Sequence, residues 1–184
     1  MVIVLIYMPG TTLLALVLAA GIPAPTTSSE PPATLMLDGG ASLARAGQAS
    51  RDHLLGLVPI YNVALYFDGP VDRARLSSPQ SAKALRIEVT HGNDDRRLPV
   101  EWWRELIPRL EAQAVTHLMG TFGGLRSGDV VQVEYVPGQG TTLRVGKTVV
   151  VTGVNHDLMM AFLDNWIGQR PISEEMKRAL LGGA

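Results

Sequence analysis

The chain has 184 residues, enough for one domain and an N-terminal extra segment. Hydrophobic residues make up 46% and charged residues 18%, which supports a packed core and excludes a disordered chain. A formal net charge of -1 leaves no electrostatic footprint for nucleic acid, and the lack of cysteine excludes disulfide and thiolate chemistry.

Residues 1–22 carry no charge. Their apolar run at 13–20, Leu-Leu-Ala-Leu-Val-Leu-Ala-Ala, has the length of an export-signal core. Small residues at Ala19, Ala20, Gly21 and Ala24 suit a signal peptidase. No Lys or Arg precedes the run, and Pro9 and Gly10 interrupt the longer apolar stretch. A signal peptide is the first reading. The alternatives are a retained membrane anchor, for which ~20 continuous apolar residues are needed, and a mis-assigned start or buried segment. The signal reading implies a periplasmic or secreted domain. Residues 23–32, rich in Pro, Ser and Thr, read as a linker. The folded domain is expected over 33–184.

A short strand is predicted over 34–37, ended by Asp38-Gly39-Gly40. A longer one covers 57–67, apolar on both faces and so central in a covered sheet, with Pro59 marking its start or a bulge. Residues 84–90 alternate, placing Leu85, Ile87 and Val89 inside and Arg86, Glu88 and Thr90 outside. Helical period over 98–122 puts Trp103, Ile107, Leu110, Ala114 and Leu118 on one stripe. Pro99 fits a first turn, whereas Pro108 predicts a kink or two abutting helices.

Residues 130–136 alternate again, with Gln132 and Glu134 facing water. Pro137-Gly138-Gln139-Gly140 is a turn whose glycines supply positive φ. A strand over 141–145, a two-residue turn at Gly146-Lys147 and a strand over 148–152 complete a meander. A helix follows, capped by Asn155, with Leu158, Met159, Phe162, Leu163 and Trp166 as its buried stripe. Gly168 supplies its C′ position and Pro171 prevents its continuation. Ser173 caps a last helix with Glu174 and Glu175 in its first turn. The order predicts an α+β fold, a large antiparallel sheet with helices packed over it.

Three segments carry a family resemblance. Ile-Tyr-Asn-Val-Ala-Leu-Tyr-Phe (60–67), Tyr-Val-Pro-Gly-Gln-Gly-Thr-Thr (135–142), and residues 162–182 with Trp166-Ile167-Gly168 and Pro171-Ile172-Ser173 occur in order and at fitting distances. Together they resemble the chalcone isomerase-like family, in particular its bacterial secreted branch. The resemblance spans roughly the whole domain and implies an open-faced sandwich whose helices enclose a ligand cleft.

In the family's plant enzymes an arginine before the central strand meets the substrate's oxygens, and a strand hydroxyl orders a water at the ketone. Fatty-acid-binding members use the arginine with a tyrosine to hold a carboxylate. A guanidinium suits both tasks: it stabilises an oxyanion without losing its proton and it forks onto a carboxylate. By resemblance, Arg51 is the family arginine, with Arg45 as the alternative, and Tyr61 is the strand hydroxyl. Where the plant enzymes place a helix tyrosine, this chain has Trp102 and Trp103, and Met176 stands near a second missing hydroxyl.

Other motifs point elsewhere than chemistry. His53, His91, His117 and His156 contain no His-x-x-x-His pair, so no metal is expected. Gly138-Gln139-Gly140 lies between strands rather than before a helix, which argues against a phosphate cradle. No Gly-x-Ser-x-Gly elbow is present. Tyr66 reads as packing, and Met159, Met160, Phe162 and Trp166 as core.

The reading is a non-catalytic pocket for a small apolar or carboxylated ligand such as a fatty acid, without cofactor, in the cell envelope. Arg51 and Tyr61 anchor the polar end, with Trp103 against the ligand. One alternative is an intramolecular lyase of the chalcone-to-flavanone type, with Arg51 and Tyr61 catalytic. The other is an envelope interaction protein that reuses the fold. A membrane enters only through an uncleaved N-terminal segment.

Overall fold

The computed structural model describes residues 30–53, 58–90, 102–153 and 155–183. The expected export segment, most of the linker, and Leu57, His91 and Pro99 lie outside the described residues.

Seven strands form one sheet in simple chain order, every neighbour antiparallel. They are β1 (Thr34–Met36), β2 (Ser42–His53), β3 (Val58–Phe67), β4 (Lys83–Val89), β5 (Val130–Val136), β6 (Gly140–Val145) and β7 (Thr148–Gly153). The helices are α1 (Arg73–Ser77), α2 (Trp103–Leu106), α3 (Ala112–Phe122), α4 (His156–Ile167) and α5 (Glu174–Leu180), with a 3₁₀ turn at Ile107–Arg109. The expected α+β architecture is therefore the observed one.

Strand β3 is covered on both faces. Tyr61, Val63, Leu65 and Phe67 join the main core under the helices, while Ala64 and Tyr66 join a smaller cluster with Leu37, Leu43 and Ala84 on the other face. The register runs Arg51 to Tyr61 and then Asp52 to Pro59, so Ile60 is the extra residue of a bulge beside the proline. In β4, Leu85, Ile87 and Val89 are buried and Arg86 pairs with Glu88 at 3.0 Å on the outer face, as the alternation predicts.

The turns follow their residue chemistry. Gly138 (φ 80°) and Gly140 (φ 94°) adopt the left-handed backbone that glycine tolerates best. Val145 pairs with Thr148 across the two-residue turn. Asn155 Oδ1 accepts from Asp157 N at 2.7 Å and Ser173 Oγ from Met176 N at 3.3 Å, so both predicted N-caps form.

Three expectations are corrected, and one strand carries no sequence signal. Strand β2 was not foreseen: Ala46, Gly47, Ala49 and Ser50 have weak strand propensity. Contact with α5 accounts for the glycine among them. A Cβ on Gly47 would run into the carbonyl oxygens of Ala179 and Leu180.

The single stripe over 98–122 is broken. Leu110 is extended (φ -117°, ψ 149°), which resets the helical phase after Pro108. Trp103 and Leu118 stay buried, but Ile107 is 52% exposed.

Glu134 is buried rather than wet, because the β1–β2 hairpin folds over that end of the outer face and Arg144 lies across it. Burial raises its carboxyl above the usual range, against the hydrogen bond from Gln132.

Gly168 sits at φ -68°, not in the left-handed region. It is glycine for closeness instead: a Cβ there would collide with the backbone of Asp164.

Candidate functional site

Arg51 and Tyr61 are direct register partners on adjacent strands. Opposed residues project to the same side of a sheet, so both belong to the helix-covered face. They meet different surroundings there. Arg51 is half-buried and lines a cleft of about 340 Å³ between β2 and α5. From β2 the cleft takes Ala49, Ser50, Arg51 and Asp52, and from α5 and its cap it takes Ser173, Glu175, Met176 and Ala179. The lining is mixed: Ala49, Met176 and Ala179 are apolar, while Ser50, Arg51, Asp52, Ser173 and Glu175 are polar or charged. Arg45 points elsewhere. It pairs with Glu30 at 2.7 Å and donates to the Pro31 carbonyl, fixing the chain that leads into β1. Tyr66 helps from beside it, donating to the Pro32 carbonyl at 2.9 Å.

Tyr61 is 1% exposed and does not line the cleft. Its ring meets Trp102 edge-on at 5.2 Å and Trp166 at 6.2 Å, and its hydroxyl accepts from Trp166 Nε1 at 3.2 Å. Trp102 also contacts Trp166 (5.6 Å) and Phe122 (6.0 Å). These edge-to-face contacts knit α2, α3 and α4 onto β3. Trp103, the third predicted contact, packs against Phe122 at 5.7 Å and likewise stays out of the cleft. The structure thus puts Arg51 and Tyr61 side by side in the backbone but only Arg51 at the cleft. Met176 is the residue at which the two environments meet, being buried in the main core while lining the cleft.

Sequence reasoning missed one buried polar cluster, at the far end of β3 and β4. Lys83 is fully buried. Its Nζ donates to the carbonyls of Leu76 (2.6 Å) and Ser78 (2.7 Å) and lies 2.9 Å from His156 Nε2. Burial lowers Lys83 to about 8, so the ammonium persists at neutral pH. His156 is lowered by burial and by Lys83, with Asp157 acting oppositely. Period-2 counting from Leu85 places Lys83 on the inward face, which is the one signal that could have found it.

Among the described residues no three His, Asp or Glu side chains group as a metal site requires, and no helix is long and apolar enough to cross a membrane.

In sequence, the chain matches the chalcone isomerase-like family over residues 27–182. No curated protein matches it. In structure it is similar to a fatty-acid binding protein of Arabidopsis thaliana at 15% identity, over 81% of this chain and 96% of that one, with a TM-score of 0.49. A family match over most of the length, on a sheet and helices of the expected kind, settles the kinship: the chain belongs to the chalcone isomerase-like family.

Proposed function

We propose that this domain is a non-catalytic binder of a small apolar or carboxylated ligand, held in the β2–α5 cleft with Arg51 at its polar end. The observation that carries the reading is the division between Arg51 and Tyr61. Arg51 lines a cleft together with the apolar side chains of Ala49, Met176 and Ala179, where a planar fork can pair with a carboxylate. The Tyr61 hydroxyl is committed to Trp166 inside the core. Of the two residues expected to share a substrate, only Arg51 lines the cleft, and the hydroxyls that line it are engaged elsewhere, Ser50 with Asn62 and Ser173 with the Met176 N–H.

The size of the cleft sets the ligand class. Small-molecule sites begin at roughly 300 Å³, so a volume of about 340 Å³ admits a compact ligand or a short acyl chain. Residues 1–22 support an exported location for this binder through their uncharged apolar run.

Octanoate titrated into the purified protein by calorimetry tests the binding. Arg51→Ala is expected to weaken it about tenfold or more, as loss of a charge-assisted hydrogen bond does. Equal binding by wild type and Arg51→Ala, or none by either, overturns the assignment. Incubation with a 2′-hydroxychalcone tests the absence of chemistry. Enone absorbance is expected to decay at the buffer rate, and a faster decay that Arg51→Ala removes would establish the isomerase instead.

A further inference from the structure

The Lys83 cluster lies at the opposite end of β3 and β4 from the Arg51 cleft: Lys83 pairs with Phe67, and Val89 with Tyr61. We propose that the Lys83–His156 contact is an acid-sensitive latch that ties the first turn of α4 and the end of α1 to the sheet.

The geometry fixes the protonation states. A lysine ammonium has three donors and no acceptor. Two donors go to carbonyls at the end of α1, those of Leu76 and Ser78, the second of which also accepts from Ser81 N at 3.3 Å. The third meets His156 Nε2, which must then accept, so His156 is neutral with its proton on Nδ1. One buried side chain thereby joins α1, β4 and α4.

The groups packed around His156 come from β4, β5 and α4 itself. From β4 comes Lys83, a cation at 2.9 Å. From β5 comes Tyr135, whose ring meets the imidazole edge-on at 4.7 Å and whose hydroxyl donates to the Pro79 carbonyl at 2.8 Å. His156 is the first residue of α4, where the helix dipole is positive and disfavours an imidazolium. Asp157 on the same helix is the one opposing charge, and it is exposed.

A proton on Nε2 removes the acceptor and sets two cations against each other in a half-buried site. The contact cannot survive it. The released turn then depends on the Asn155 cap and on Thr141 Oγ1, which donates to the Asn155 carbonyl at 2.6 Å. The sign follows from linkage. The folded state binds this proton less readily than the unfolded chain, so the latch's contribution is complete above the ordinary histidine range near 6.5 and is lost as pH falls through the lower folded value.

Imidazole signals followed by NMR between about pH 8 and 5 test this, together with hydrogen exchange of segments 76–79 and 155–160 corrected for intrinsic rate. His156 is expected to titrate below the ordinary histidine value near 6.5. Protection in both segments is expected to fall by up to roughly tenfold per unit of pH between the ordinary histidine value near 6.5 and the lower His156 midpoint, and to level off below that midpoint. In His156→Gln, whose amide oxygen accepts from Lys83 and carries no titrating proton, protection in those segments should stay level over the same range. A His156 midpoint at or above the ordinary value near 6.5 overturns the latch, as does an equal acid-induced loss of protection in His156→Gln.

Discussion

Arg51 and Tyr61 stand opposite each other across two strands, and their roles separate at the level of single side chains. Arg51 faces the cleft, so its replacement should alter binding and leave the core intact. Tyr61 supplies the acceptor for a buried indole N–H. Tyr61→Phe keeps the ring and its edge-on contacts but strands Trp166 Nε1, a loss of about 1–3 kcal/mol. Urea unfolding should show that loss while octanoate affinity stays at the wild-type value. A Tyr61→Phe protein that unfolds normally yet binds octanoate tenfold more weakly would return Tyr61 to the ligand's side. The sequence could name both residues because a strand hydroxyl and an upstream arginine are visible as residue types. It could not separate them, since separation depends on Trp102, just before α2, and Trp166 in α4, which lie 41 and 105 positions from Tyr61 along the chain.

At the next scale up, the cleft exists because of how α5 sits on β2. The small stretch 46–50 gave no strand signal, as its Ala, Gly and Ser residues are poor strand formers. Its glycine reflects contact instead: Gly47 lets the carbonyls at the end of α5 approach the strand backbone. Gly47→Val should lift α5 from β2 and cost about 1–3 kcal/mol as overpacking does. Thermal unfolding measures the cost, and a melting temperature equal to wild type would mean that α5 does not need this contact. Helices α4 and α5 were readable from their caps and apolar stripes, because Asn155, Ser173 and the run from Leu158 to Trp166 act locally. The break at Leu110 was not. Pro108 announces an interruption, but the extended residue that resets the phase lies two positions later and carries no sequence mark of its own.

Over the whole molecule, a seven-stranded meander carries helices on one face and a small second core on the other. That layering was legible, since alternation in β4 and β5 and the glycine turns around Gly138 and Gly146 all favour antiparallel neighbours. The burial of Glu134 and Lys83 was not, because each is covered by a segment distant in sequence: Glu134 by the β1–β2 hairpin, and Lys83 by α1 and the start of α4. The helix-covered interior beside Tyr61 is filled by Trp102, Phe122 and Trp166, so the cleft lies at the edge of the sheet rather than at its centre. The central claim is that this edge cleft holds a ligand through Arg51. Mass spectrometry of small molecules extracted from the purified protein tests it most directly, because it presumes no substrate. A compact apolar or carboxylated compound should accompany the wild type in near-stoichiometric amount and be absent from Arg51→Ala; identical extracts from the two proteins would contradict the account.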